Sequence, residues 1–226
     1  MKRGLGIVVL MLLASLLHSA DYGTCFQAAK DAEEQKDFAT AEAQYGEAMN
    51  IATDSPQKCN AILGKIRVLR NQKKHREAEK FAMAVVEDEM LKPPESRQIL
   101  NAVAALLMWT VNRQNDALNL LQQAQALECP QNSNAFFQTY YLISEIYLHR
   151  KEPQPAMEAI GNVVNIKGQH PANLYRSHLI MGRAYEQLGN CDEALKHYQT
   201  ALEYGKKVKY TFSVEMAEKA IQRLCK

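Results

Sequence analysis

Along this chain apolar residues recur three and four positions apart through stretches several helical turns long, and then give way to short polar breaks. That is the period of amphipathic helices, not of strands. The breaks carry residues that stop helices: Leu188-Gly189-Asn190, Lys151-Glu152-Pro153 and the stretch from Asn112 to Asn115. Longer breaks hold Pro56, Pro93, Pro94, Pro130 and Pro171, each marking the end of a preceding helix. No Asn-Gly or Asp-Gly hairpin signal interrupts the pattern.

The pattern also repeats. In "MGRAYEQLGNCDEALKHYQTALEYG", Met181 to Gly205, small and aromatic residues alternate as Gly182, Tyr185, Gly189, Ala194, Tyr198 and Ala201. Sliding this stretch back along the chain aligns an alanine near the start of five successive second helices: Ala41, Ala78, Ala117, Ala156 and Ala194, spaced 37, 39, 39 and 38 residues apart. A near-constant period of this size predicts stacked helix pairs. The units run approximately 22–56, 57–94, 95–131, 132–171 and 172–209. A further amphipathic helix is expected over 210–225, with Phe212, Val214, Met216, Ala217, Ile221 and Leu224 toward the array. Small residues let paired helices approach to about 8–10 Å. Tyr185 and Tyr198 are expected to fill the space toward the next pair. One pair cannot bury its own apolar face, so stacking supplies the core.

On these residues the chain resembles the tetratricopeptide-repeat (TPR) family, most closely in its last unit. Ala105 and Ser144 stand where the third and fourth units would carry the signature glycine, and Ala82 where the second would carry an aromatic. The resemblance implies an all-α, right-handed superhelical solenoid of about five repeats with a C-terminal capping helix, one domain over 21–226. The period exceeds the family's usual ~34 residues, so first or second helices one turn longer are expected. The family's first helices line a concave groove that binds a protein or extended peptide. The residues placed there are Lys30, Asn60, Leu63, Arg67, Arg70, Trp109, Tyr141, Glu145, Arg176 and Arg183. A Trp, a Tyr and several Arg together have the composition of a binding surface, with inter-repeat packing the other role open to Trp109. Some family members clamp a peptide carboxylate with Lys and Asn. Lys30 and Asn60 fall in suitable helices, but the third unit offers no cation to continue such a clamp.

Composition agrees with a helical protein: 47% hydrophobic and 23% charged residues, with Gly (10) and Pro (7) scarce. The first twenty residues belong to something else. Lys2 and Arg3 precede an apolar run from Ile7 to Leu17, followed by Ser19 and Ala20, the layout of a secretory signal cleaved after Ala20. That run is shorter than the roughly 20 residues a spanning helix needs; an uncleaved anchor is the alternative. Without residues 1–20 the chain carries 25 Lys and Arg against 25 Asp and Glu. This balance, and the lack of a basic cluster, argue against nucleic acid as a partner. The expected address is outside the cytoplasm, the periplasm first.

In an exported chain disulfides are chemically allowed. In the solenoid frame Cys191 and Cys225 meet at one edge, and Cys25 and Cys59 near the starts of neighbouring first helices. A Cys191–Cys225 bond would close a 34-residue loop and contribute about 3–4 kcal/mol. Cys129 is then left over, for a free thiol or a dimer link; five reduced core cysteines are the alternative. No H-E-x-x-H, phosphate loop or nucleophile motif occurs. Glu145 and His149, four apart on one helix face, form the nearest approach to a metal pair, and a solvated or salt-bridged pair is the plainer reading. No metal, no cofactor and no enzymatic activity are therefore expected. Self-association through Cys129 or an exposed Tyr22, Cys25 and Phe26 edge is a second possibility, and a closed pocket around Tyr141, Glu145 and Arg183 would favour a small ligand.

Overall fold

The computed structural model describes residues 21–110, 112–208 and 211–224. The proposed leader (1–20) and Cys225 lie outside the described residues, so the cleavage site and the Cys191–Cys225 pairing do too. Among the described residues there are eleven α-helices and no strand. They divide into two compact units, one ending at Lys74 and one starting at His75.

The first unit holds α1 (Tyr22–Glu34), α2 (Phe38–Ile51) and α3 (Ser55–Asn71). Asp21, Asp37 and Asp54 cap the three N-termini, each accepting a bond from the backbone N–H three residues on. Ala29, Ala41, Tyr45 and Val68 form its core, all wholly buried. The expected exposed edge is not there. Cys25 is buried against Ala48 and Ala61, and Tyr22 stacks on Phe26 while its hydroxyl donates to the Gln57 carbonyl at 3.0 Å. Nor is the Cys25–Cys59 bond formed. Both are buried thiols, and Cys25 is taken up in the apolar seam between helices. Burial and the nearby carboxylates of Glu47 and Asp21 push its thiol pKa up.

The second unit holds α4 (His75–Val85), α5 (Pro93–Leu107), α6 (Gln114–Ala126), α7 (Asn134–His149), α8 (Pro153–Val164), α9 (Pro171–Gln187), α10 (Cys191–Lys207) and α11 (Thr211–Leu224). Within it α5, α7 and α9 each pack on the following helix, and α5 on α7 and α7 on α9 as well, so helix pairs stack. Ala78, Ala117, Ala156 and Ala194 are wholly buried, as is Ala201. α11 docks on α10 through Ala217 and Ala220. Met216, expected on that buried stripe, is instead 50% exposed. The inner face is set by the 217/220 spacing, which leaves position 216 at its edge. The extra repeat length lies largely between units, in the six- and seven-residue connectors 86–92, 127–133 and 165–170. Helix length varies as well, from 11 residues in α4 to 17 in α3, α9 and α10.

Each turn within a repeat carries one residue in the left-handed region: Lys36, Lys73, Asn112, Lys151 and Gly189, at φ 62° to 75°. Only the last is glycine, the residue that adopts this conformation without a Cβ penalty. Glycine has a different use at Gly64 and Gly182. A Cβ at Gly64 would lie 2.4 Å from the Tyr45 ring, and one at Gly182 2.7 Å from Tyr198. The Gly182–Tyr198 contact is made inside one helix pair, not toward the next. Gly64→Ala is expected to destabilise by about 1–3 kcal/mol through overpacking. Gly46→Ala, with nothing within 4 Å of the new methyl, is expected to stabilise by about 0.5–1 kcal/mol. Urea midpoints of the two variants, moving in opposite directions at constant slope, check the pair.

Candidate binding grooves

In the first unit the expected groove cations do unequal things. Arg67 donates from Nε and Nη2 to the two Glu33 oxygens at 2.6 and 2.7 Å, and from Nη2 to the Tyr45 hydroxyl at 2.9 Å. Tyr45 in turn donates to Glu33 Oε2 at 3.0 Å. The Arg67 hydrogen bond is the main cause holding the Glu33 carboxyl below its ordinary pKa, and burial pushes Tyr45 up to about 12. Arg67 is thus a strut joining α1, α2 and α3. Lys30 lies exposed beside it, lining a hollow of about 400 Å³ with Phe38 and Asn71. Asn60 and Arg70 are exposed, and Leu63 is half-buried.

The second unit repeats this strut at its C-terminal end. Tyr198 donates to Glu186 Oε2 at 2.9 Å, and Arg223 of α11 reaches the same oxygen at 2.7 Å. The Glu-to-Tyr separation is 12 residues in both cases. The sequence reading had neither carboxylate nor Arg223. The signal was present: the middle units have Ala82, Leu121 and Ile160 where these two have tyrosine.

In the same unit the first helices of the fourth and fifth repeats build a polar cluster. Glu145 on α7, only 8% exposed, receives Arg183 Nη1 from α9 on both oxygens at 2.7 and 2.9 Å. Tyr141, one turn earlier, donates to Glu145 Oε1 at 3.0 Å. Burial and the Glu145 charge push the Tyr141 hydroxyl well above its ordinary pKa. Arg176 stands over the Tyr141 ring, 5.8 Å from its centre. Together with Tyr175, Leu179 and Met216 these line a cavity of about 160 Å³. Leu179, Arg183 and Met216 also line a neighbouring trench of about 600 Å³ that runs past Lys151, Lys219 and Arg223. The combined surface carries five cations, Lys151, Arg176, Arg183, Lys219 and Arg223, against the carboxylates of Glu145 and Glu186. The sequence pattern places neither Tyr175 nor the α11 cations in a groove, and Met216, expected on the buried stripe, lies here instead.

Glu145 and His149 part company despite their spacing. His149 faces Gln114 and the edge of Trp109, and Glu145 faces Arg183. Trp109 lies just past α5, 63% exposed, and takes no part in the 160 Å³ cavity. Elsewhere, His178 of α9 and His197 of α10 bring their Nδ1 atoms to 3.0 Å. Tyr204 and Tyr185 stack on the two rings. Burial lowers both imidazoles, His178 to about 4. Among the described residues no group of three or more His, Cys, Asp or Glu could hold a metal ion, and no helix is long and apolar enough to cross a membrane.

No protein-family model matches the chain, and no curated protein matches it. Solved structures do. A MamA structure shares 24% identity at TM-score 0.57, covering 80% of this chain and 97% of its own. A tetratricopeptide repeat protein from Parabacteroides merdae ATCC 43184 shares 16% identity at TM-score 0.60, covering 90% of this chain and 72% of its own. YrrB, described as a TPR protein with an unusual peptide-binding site, shares 16% identity at TM-score 0.53, covering 92% of this chain and 97% of its own. The fold is that of the tetratricopeptide-repeat proteins.

Proposed function

We propose that this chain is a non-enzymatic protein-interaction scaffold of the cell envelope, and that a partner's extended acidic segment lies along the trench bounded by α7, α9 and α11. The observation that carries this reading is the charge balance of that surface. Glu145 is already neutralised by Arg183, and Glu186 by Arg223. Arg176 and Lys151 have no ion-pair partner among the described residues. Unmatched cations beside an apolar rim of Leu179 and Met216 favour a carboxylate-bearing segment that also brings apolar side chains. The cavity is below the roughly 300–1,000 Å³ of small-molecule sites, so it suits the tip of a longer ligand. The solved structure of YrrB, a protein of this fold, supports peptide recognition as the mode. The leader-like residues 1–20 support export, with the periplasm as compartment.

The test is affinity capture from an envelope extract with the C-terminally tagged chain, run beside Arg176→Glu. Arg176 is exposed, so the variant should keep its circular dichroism. A partner held by the wild type and lost at least tenfold by the variant supports the trench. Equal capture by both places binding on another face. Concentration-dependent sedimentation with no captured partner points to self-association instead.

A further inference from the structure

The turn after α5 is built unlike the other turns within repeats. Six residues separate Leu107 from Gln114, where three suffice in the rest. The added length turns Met108 inward, 4% exposed, and Trp109 outward, 63% exposed. Below the indole, polar side chains are wired in series. Gln114 Nε2 meets His149 Nδ1 at 2.8 Å. Arg150 Nε donates to Gln114 Oε1 at 3.0 Å, and Arg150 Nη2 to Asn115 Oδ1 at 2.7 Å. An amide nitrogen only donates, so His149 Nδ1 accepts and the neutral ring carries its hydrogen on Nε2. The His149 ring is further fixed edge-to-face on Trp109, with centres 5.5 Å apart. The hollow around these groups measures about 610 Å³, within the size range of ligand sites.

We infer that this corner is a second binding site, distinct from the trench, and that it takes a neutral saccharide. Three features select that chemistry. The exposed apolar surface is one flat indole, which matches the C–H face of a sugar ring. Met108 also lines the hollow but is only 4% exposed, so it presents little apolar surface to a protein partner's side chain. Two guanidinium nitrogens of Arg150 are engaged by the Gln114 and Asn115 oxygens, so they hold both amides in place for recognition of hydroxyls. Among the described residues no side-chain bond occupies the Asn115 amide N–H pair, the Asn112 amide or the His149 Nε2–H. These are planar donors and acceptors of the kind that engage neighbouring hydroxyls. Asn115 and His149, held in place by the side-chain network, lose little entropy on binding.

Trp109 is the only tryptophan in the chain, so its fluorescence reports this corner alone. The full chain is titrated with maltohexaose, cellohexaose and chitohexaose up to about 20 mM, the weak end of the affinity scale. The expected result is a saturable change in emission with at least one of them. The affinity should fall at least tenfold in Asn115→Ala and be unchanged in Arg176→Glu. Calorimetry on Trp109→Ala should show the binding heat gone while its melting curve is kept. No saturable change with any of the three sugars overturns the inference, as does full affinity in Asn115→Ala. A response to an acidic peptide with none to the sugars also overturns it and makes the corner a protein contact. Because Arg176 lines the trench-side cavity and not this corner, failure here leaves the trench test standing, and the reverse.

Discussion

Arg97→Ala is expected to lower stability by about 2–5 kcal/mol, the range for emptying the site of a large, fully buried side chain. Arg97→Met is expected to cost less than about 1.5 kcal/mol. Arg97 is 2% exposed and has no carboxylate ion pair among the described residues. Its guanidinium donates from Nε to Thr139 Oγ1 at 2.8 Å and from Nη1 to the Leu127 carbonyl at 3.1 Å, and lies 4.8 Å over the Phe136 ring. Nη2 has no acceptor. One side chain therefore ties α5 to the end of α6 and to α7, at the cost of a poorly solvated charge. Alanine leaves a void between these elements and strips the Leu127 carbonyl of its donor. Methionine fills most of the void and removes the buried charge, whose desolvation opposes what its hydrogen bonds contribute. Chemical denaturation of the two variants decides between packing and polar bridging. Equal large losses in both would show that the hydrogen bonds, not the volume, hold the seam.

The second large effect is one of pH. Stability is expected to be full above about pH 6.5 and to fall as pH drops toward 4, by about 2–3 kcal/mol in total. The His178 and His197 nitrogens share one hydrogen bond at 3.0 Å between α9 and α10. Their ring centres, 5.3 Å apart, exceed that distance by little more than the two ring radii, so the rings meet edge to edge. Such a pair accommodates one shared proton and repels a second. Burial lowers both groups below the ordinary 6.5, His178 to about 4. The unfolded chain therefore binds protons first as pH falls, and the folded state is disfavoured through that interval. Glu193 and Lys196 on α10 act on His197 in opposite senses, and the carboxylate does not offset burial. For a chain of this size the thermal midpoint should drop about 5–10 °C between pH 7 and 4.5. His178→Phe keeps the stack on Tyr204 and should remove most of that slope. An unchanged slope would assign the acid sensitivity to carboxylates.

These two groups also show how far the sequence could be read. Helix identity and repeat period are local properties. A 3.6-residue period declares which side of each helix is apolar, and the aligned Ala41, Ala78, Ala117, Ala156 and Ala194 mark where helices must approach closely. Those follow from the chain alone, and with them the all-helical repeat fold. The polar pairings do not. Arg67 finds Glu33 across 34 residues, Arg223 finds Glu186 across 37 and Arg183 finds Glu145 across 38. These distances in sequence become contacts only through the phase with which one helix pair stacks on the next.

That phase depends on connector lengths and on packing volumes such as Gly64 against Tyr45, which no local pattern encodes. It is why Glu145 and His149, adjacent on one helix face, serve different sites. For the same reason Met216 turns to the trench, and Arg97, inconspicuous among the charged residues, is buried. The sequence by itself determined the helices, their turns and their repetition, because these obey short-range geometry. Which charges are struts and which remain open to a ligand was decided by tertiary structure, where neighbours one repeat apart neutralise some of them and leave others in water.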